Sequence, residues 1–389
     1  MKHIAYVIPT LDRIGGAEQQ VLLLASGLTK RGWRVSIIAL AGTAGNVAQK
    51  LQSDGITFRS LDMRKGLVDP RGWIRLNAWI SEHRPDIVHA HLPHASLLAR
   101  FSRLAAPMRI LIDTIHSPAT GGVLRNLGYR MSTALPDIVT AVSRAAADPW
   151  LCSGMVGEQR LTIIPNGVDV DRWKRDENTR KAARVKLGLS NEFLWLAVGR
   201  LDPVKDHATL IRAFTLLPAG SRLVILGEGR LRHQLCSLVQ ELGLNDRVHL
   251  PGFQTEVLPW MCAADGFVLC SQWEGLPMAL LEAGACLLPA VITDIPGARE
   301  ALPDSQRHQA VSSGDPGALA AAMRALMRIP DTERHELGRQ MRKFICERFG
   351  LNAVLNQWEN LYHLQLERNP QPSRFGMPNS ALARTRQLQ

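Results

Sequence analysis

Two carboxylates, Glu274 and Glu282, stand eight positions apart in Ser271-Gln272-Trp273-Glu274-Gly275-Leu276-Pro277-Met278-Ala279-Leu280-Leu281-Glu282. Carboxylates accept hydrogen bonds from hydroxyl groups, so a spaced pair can hold a polyol. The apolar run at 266–270 predicts a buried strand, and 278–285 predicts a helix opened by Pro277. Glu274 then sits on the connecting loop and Glu282 two turns into the helix. The amides near Gly275 and Leu276 point outward at the positive helix end, where a diphosphate is stabilised. Hydroxyls joined to a diphosphate describe a nucleotide sugar. Standing alone, such a pair is more often a solvated helix face, so the reading depends on what accompanies it.

Gly199-Arg200-Leu201-Asp202-Pro203-Val204-Lys205 follows another apolar run and puts two cations on one loop. Arginine can engage two phosphate oxygens in a fork and lysine acts as a point charge, so Arg200 and Lys205 suit a diphosphate leaving group. Charge building on that group as a glycosyl bond breaks would make them most effective in the transition state. Gly15-Gly16-Ala17-Glu18 lies between a first strand and a first helix, where glycines let the backbone approach a phosphate. It lacks the full dinucleotide-binding spacing. Gly227-Glu228-Gly229 is a further turn, which either shapes a nucleotide pocket or simply reverses the chain, and the loop at Pro251-Gly252-Phe253 could meet a base edge.

Three histidines close strand-like runs. His89 and His91 share one strand face without an evident third ligand, which favours packing or crevice lining over a metal. His116 ends another run and faces the crevice. Asp169-Val170-Asp171 spells a metal-binding tripeptide but has no supporting ligands in the sequence, so no metal is expected.

These residues need a scaffold that gathers loops at one edge. Apolar runs at 4–8, 34–39, 86–89, 110–114, 138–142 and 161–164 alternate with helical patterns at 17–31, 73–83 and 94–105. A second series begins afresh, with runs at 194–198, 222–226, 248–250, 266–269 and 290–293 and helices at 208–217, 230–242, 278–285 and 316–329. Residues 173–186 read as a linker or an exposed helix. Alternation of this kind predicts an α/β fold of two doubly wound parallel sheets, with ligands held beyond the carboxyl ends of the strands. At 389 residues two domains are the default. The predicted division is 1–170, then 171–345, a helix over 346–367 returning toward the first domain, and a disordered polar tail over 368–389.

The six cysteines (Cys152, Cys236, Cys262, Cys270, Cys286, Cys346) show no paired spacing, which suits reduced thiols in the cytoplasm. No apolar run is long enough to span a bilayer. The net charge of +11 raises the question of nucleic acid, but the basic residues are spread without a recognition pattern, so no nucleic-acid partner is expected. Locally, twelve Arg and Lys between Arg59 and Arg144 face six acids. Lys65, Leu67, Trp73, Ile74, Leu76, Trp79 and Ile80 fall in this stretch. It describes either a peripheral membrane contact through the first domain or a solvated basic face over ordinary core.

Gly-Gly-Ala-Glu, Ile-His-Ser, Ile-Pro-Asn-Gly-Val-Asp, Gly-Arg with Lys five residues beyond the Arg, Gly-Glu-Gly and the spaced glutamates occur in order over about residues 4–300. In this the chain resembles the retaining GT-B glycosyltransferases of family four, bacterial hexosyltransferases that use nucleotide-activated sugars. The resemblance implies two Rossmann-like domains facing a central cleft. It implies catalytic roles for His116, Arg200, Lys205 and Glu274, with the hexose against Glu274 and the anomeric carbon beside His116. Donor binding would involve Gly15, Gly16, Arg200, Lys205, Gly275, Leu276 and Glu282, the last on the ribose hydroxyls. It implies no cofactor and no metal, a UDP- or GDP-linked donor, and a glycan or lipid-linked acceptor in surface polysaccharide or lipopolysaccharide assembly. One departure stands out: Leu287 occupies the place of a helix-ending glycine, which would cost about 1 kcal/mol if the left-handed turn is kept. A nucleotide-sugar epimerase on the same fold, or a non-catalytic sugar-nucleotide-binding protein, would share these residues.

Overall fold

The computed structural model describes residues 1–12, 14–64, 69–119 and 121–370. Lys65, Leu67 and the predicted tail from 371 onward lie outside the described residues. Among the described residues, thirteen strands form two sheets. The first holds β1 (His3–Ile8), β2 (Arg34–Ala39), β3 (Thr57–Ser60), β4 (Ile87–His91), β5 (Ile110–Ile115), β6 (Ile138–Ala141) and β7 (Leu161–Ile163). The second holds β8 (Phe193–Val198), β9 (Ser221–Leu226), β10 (Val248–Gly252), β11 (Gly266–Leu269), β12 (Ala290–Thr293) and β13 (Ala310–Val311). Their orders are β3-β2-β1-β4-β5-β6-β7 and β10-β9-β8-β11-β12-β13, with every pairing parallel. The strand order therefore reverses beside β1 in one sheet and beside β8 in the other. Loops leaving the strands on either side of such a reversal diverge and open a crevice.

The inner strands are mostly apolar because helices cover both faces, and β1 and β5 are buried at every position. The edge strand β3 is half exposed, and its sequence Thr-Phe-Arg-Ser carries no apolar run that would reveal it. Residues 173–186 resolve into an exposed helix at Glu177–Lys186 rather than a linker, capped by the Asp176 carboxylate accepting from the Thr179 amide. The last helix, Leu351–Arg368, packs against the first unit. Val354, Leu355, Trp358, Leu361, Tyr362 and Leu366 share its core with Ile4, Tyr6 and Leu24. Its Glu359 accepts hydrogen bonds from Trp33 Nε1 at 2.9 Å and from Arg31.

The two units also share apolar core. Ile115 and Trp150 from the first pack in one cluster with Leu276, Met278 and Leu280 from the second. Leu287 does hold a left-handed turn, with φ of +64°. The turn is kept because the chain must reverse from helix Met278–Ala285 into β12, and a leucine tolerates it at a cost of about 1 kcal/mol. In helix Pro70–His83 of the basic stretch, Leu76, Trp79 and Ile80 belong to the core, and of its large apolar side chains Trp73 and Ile74 are exposed. A larger apolar surface lies later in the same stretch, on helix Val123–Met131, where Val123, Leu124, Leu127 and Met131 stand exposed.

Candidate active site

The loop after β8 carries Arg200 and Lys205. Their separation is closed by a short 3₁₀ turn at Pro203–Lys205. Lys205 folds back to an ion pair with Glu274, whose Oε1 also accepts from Ser271 Oγ at 2.7 Å. Arg200 points outward with its side chain 74% exposed, 3.3 Å from Asp202. An exposed pair of this kind contributes about 0–1 kcal/mol, so a competing diphosphate could displace it at little cost. Gly227 braces the same loop from behind, because a Cβ there would lie 1.9 Å from the Gly199 carbonyl oxygen. The Gly227-Glu228-Gly229 turn thus fixes where Arg200 emerges.

The loop after β11 carries Glu274, Gly275 and Leu276 into helix Met278–Ala285. Gly275 is pressed against the other unit: a Cβ there would sit 2.2 Å from the His116 carbonyl oxygen. Its own carbonyl accepts from Ser143 Oγ at 2.6 Å. Neither the Gly275 nor the Leu276 amide has an acceptor among the described residues, which leaves two donors beside a helix N-terminus. Glu300 adds a second bridge, accepting from the Arg144 and Ala145 amides at 3.1 and 2.8 Å and so capping helix Arg144–Cys152 of the first unit.

Glu282 is 6% exposed and faces the first unit, where Gln19 Nε2 donates to its Oε1 at 2.8 Å. Burial pushes its carboxyl up from the ordinary 4.5 to about 7, opposed by the Gln19 hydrogen bond and the positive field of Arg172. Gly15 and Gly16 are exposed at the entry of helix Gly16–Lys30. There the Gly15 amide donates to Glu18 Oε2 at 3.0 Å. Burial raises the Glu18 carboxyl, while that hydrogen bond and the charge of Arg200 lower it, so Arg200 acts across the crevice on the glycine loop.

His116 follows β5 and is half-buried, with Nε2 2.9 Å from Nδ1 of His91. Burial pulls it down to about 4. His89 belongs to the core instead, bonded to Tyr362 Oη at 2.8 Å and Thr114 Oγ1 at 2.6 Å. Asp169 closes a local turn by accepting from the Asp171 and Arg172 amides, and the described residues hold no cluster of three or more metal-ligating side chains.

Gly275 thus meets His116, Lys205 pairs with Glu274, and Glu282 meets Gln19 on the helix that Gly15 and Gly16 open, so these segments come together where the two units meet, with Arg200 exposed beside them. Sequence reading missed Gln19, Ser143, Ser271 and Glu300. Each acts through a partner far along the chain, except Ser271, whose place three residues before Glu274 was a usable signal. Cations, free amides and carboxylates arranged this way can hold a diphosphate at one end and hydroxyls at the other.

Residues 14–172 match the pattern described as Glycosyltransferase Family 4, and residues 179–344 match that of Glycosyl transferases group 1. The chain belongs to the group 1 glycosyltransferases. Its fold is GT-B. Anabaena HepE in complex with UDP-glucose superposes with a TM-score of 0.83 at 21% identity, covering 93% of this chain and 100% of that one. A Campylobacter jejuni N-acetylgalactosaminyltransferase acting on an N,N'-diacetylbacillosaminyl-diphospho-undecaprenol glycan is 34% identical over 44% of this chain and 45% of its own length. The Escherichia coli UDP-Gal:alpha-D-GlcNAc-diphosphoundecaprenol alpha-1,3-galactosyltransferase is 30% identical over 59% of this chain and 63% of its own. The matched regions thus span less than two thirds of either relative.

Proposed function

We propose that this group 1 glycosyltransferase is a retaining hexosyltransferase. It moves a sugar from a nucleoside-diphosphate donor to a lipid-diphosphate-linked glycan, in surface polysaccharide assembly. The observation that carries the reading is the convergence of Lys205, Glu274, the Gly275 and Leu276 amides and buried Glu282 on one crevice facing His116. The diphosphate lies against Arg200, Lys205 and the free amides, the ribose hydroxyls against Glu282, and the hexose between Glu274 and His116. The bond from the anomeric carbon to the β-phosphate oxygen breaks as the acceptor hydroxyl adds to the same face. Its proton passes to the departing phosphate oxygen. Negative charge grows on that oxygen, where the cations and amides stabilise it most, so no metal is required.

The relatives' names favour a UDP-linked donor and an undecaprenyl diphosphate acceptor. Such an acceptor lives in a bilayer, and no described helix is long and apolar enough to cross one. Val123, Leu124, Leu127 and Met131, flanked by Arg125 and Arg130, supply an apolar stripe with basic edges suited to the anionic inner face of the cytoplasmic membrane.

Incubation with a panel of UDP- and GDP-hexoses and undecaprenyl-diphosphate glycans, with EDTA present, tests the reading. It predicts an α-linked product from an α-configured donor, and loss of turnover in Lys205→Ala. Transfer with inversion, or release of sugar only when a divalent metal is added, would overturn it.

A further inference from the structure

His91 is 1% exposed at the end of β4, and its Nδ1 lies 2.9 Å from His116 Nε2. Two neutral imidazoles at that separation share one proton: one nitrogen donates and the other must be bare. Burial lowers both rings, His91 well below its ordinary value and His116 to about 4, so each carries a single proton near neutrality. Their tautomers are therefore coupled.

The other nitrogen of His91 decides which arrangement holds. His91 Nε2 is buried with no hydrogen-bond partner among the described residues. A buried N–H without an acceptor is rarer and costlier than an acceptor left under-used. Nε2 is therefore the bare nitrogen, and the proton sits on Nδ1 and is donated to His116. His116 must accept through Nε2 and keep its own proton on Nδ1, the nitrogen that His91 does not engage.

The surrounding structure holds this pair rigidly. Asp113 on β5, three residues before His116, is tied to Arg100 Nε and Nη2 at 2.9 and 2.6 Å. Arg100 lies on helix Pro93–Ser102, which begins two residues after His91. The intervening Leu92 takes a φ of +71°, a strained conformation for leucine that turns the chain sharply after His91. On its other side the His116 backbone is pressed against Gly275.

We propose that His91 is a positioning residue that fixes His116 as the Nδ1–H tautomer, so that His116 offers the donor sugar a hydrogen bond and does not act as a base. This rests on the reading that a sugar nucleotide occupies the crevice. His91 does not touch the substrate and acts only through the neighbouring ring.

Side-chain ¹⁵N NMR of the full-length, ligand-free protein tests the assignment directly. It should show His116 protonated on Nδ1 and bare on Nε2, without titration between about pH 5.5 and 8. In His91→Leu, His116 should become a mixture of tautomers. The turnover number should fall roughly tenfold or more while the donor KM changes little, at every pH tested. His91→Asn, whose amide can place an N–H where Nδ1 was, should restore most of that loss. Protonation of His116 on Nε2, or an unchanged tautomer and rate in His91→Leu, would overturn the proposal. The NMR result is independent of catalysis, so a wild-type protein with no transfer activity would sink the proposed reaction and leave this assignment standing.

Discussion

Replacing Glu282 with glutamine should separate the stability of this protein from its function. The carboxyl is 6% exposed and has one neutral hydrogen-bond donor, Gln19. Its rise from 4.5 to about 7 means that between those values the folded chain holds a proton the unfolded chain has released. Stability contributed by the protonated form is thus full below about pH 4.5 and is lost as pH rises through about 7. Above that, the buried charge costs roughly 3 kcal/mol. Glu282→Gln removes the charge, keeps the shape and can still accept from Gln19. The variant should lie within about 1 kcal/mol of wild type at pH 5 and be more stable at pH 8 by up to roughly 3 kcal/mol. For a chain of 389 residues this corresponds to a rise of roughly 4 °C in Tm. The same substitution should weaken UDP-sugar binding, because ribose hydroxyls bond more strongly to a carboxylate than to an amide. Differential scanning calorimetry at pH 5 and pH 8, with and without donor, reads both effects. A variant less stable than wild type at pH 8, or one with undiminished donor affinity, would refute the reasoning that a functional carboxylate is held here against its own solvation.

Other consequences follow from backbone geometry and from the exposed helix. Because Leu287 sits at φ +64°, Leu287→Gly should be more stable than Leu287→Ala by about 1 kcal/mol in urea denaturation, the reverse of the order expected at negative φ. Gly275→Ala would drive a methyl into the His116 carbonyl, which cannot move freely. It should cost about 1–3 kcal/mol of stability and lower kcat/KM at least roughly tenfold, and activity equal to wild type would show that the crevice walls do not need this approach. The double variant Leu124→Ser/Leu127→Ser should lose sedimentation with anionic vesicles while retaining donor binding, whereas unchanged sedimentation would place the membrane contact elsewhere.

The strands and the loops of the candidate site were legible for the same reason. Strands buried on both faces read as apolar runs, and the loops that leave them carry Arg200, Lys205, Glu274 and Glu282 within short segments. Edge strand β3 gave no such signal. Nor did helix Asp331–Phe349, which buries only Gly338, Met341, Ile345 and Phe349 among a mostly charged sequence. The contacts that complete the crevice were hidden in a different way. Gln19 reaches Glu282, Ser143 reaches Gly275, and Glu300 caps a helix of the other unit, across 263, 132 and about 155 positions of chain. They exist only because two separately folded sheets dock, and no local pattern of residues encodes that docking. Leu287 shows the converse: the sequence lacks the glycine, but the turn it would serve is still made.

Isothermal titration of UDP-hexose into wild type, Arg200→Ala, Lys205→Ala and Glu282→Gln measures most directly whether these side chains bind one sugar nucleotide. The account predicts that each substitution weakens binding by at least roughly tenfold. It also predicts that wild-type binding tightens from pH 6 to pH 8 as Glu282 ionises. Affinities that are equal across all four proteins and flat with pH would contradict it.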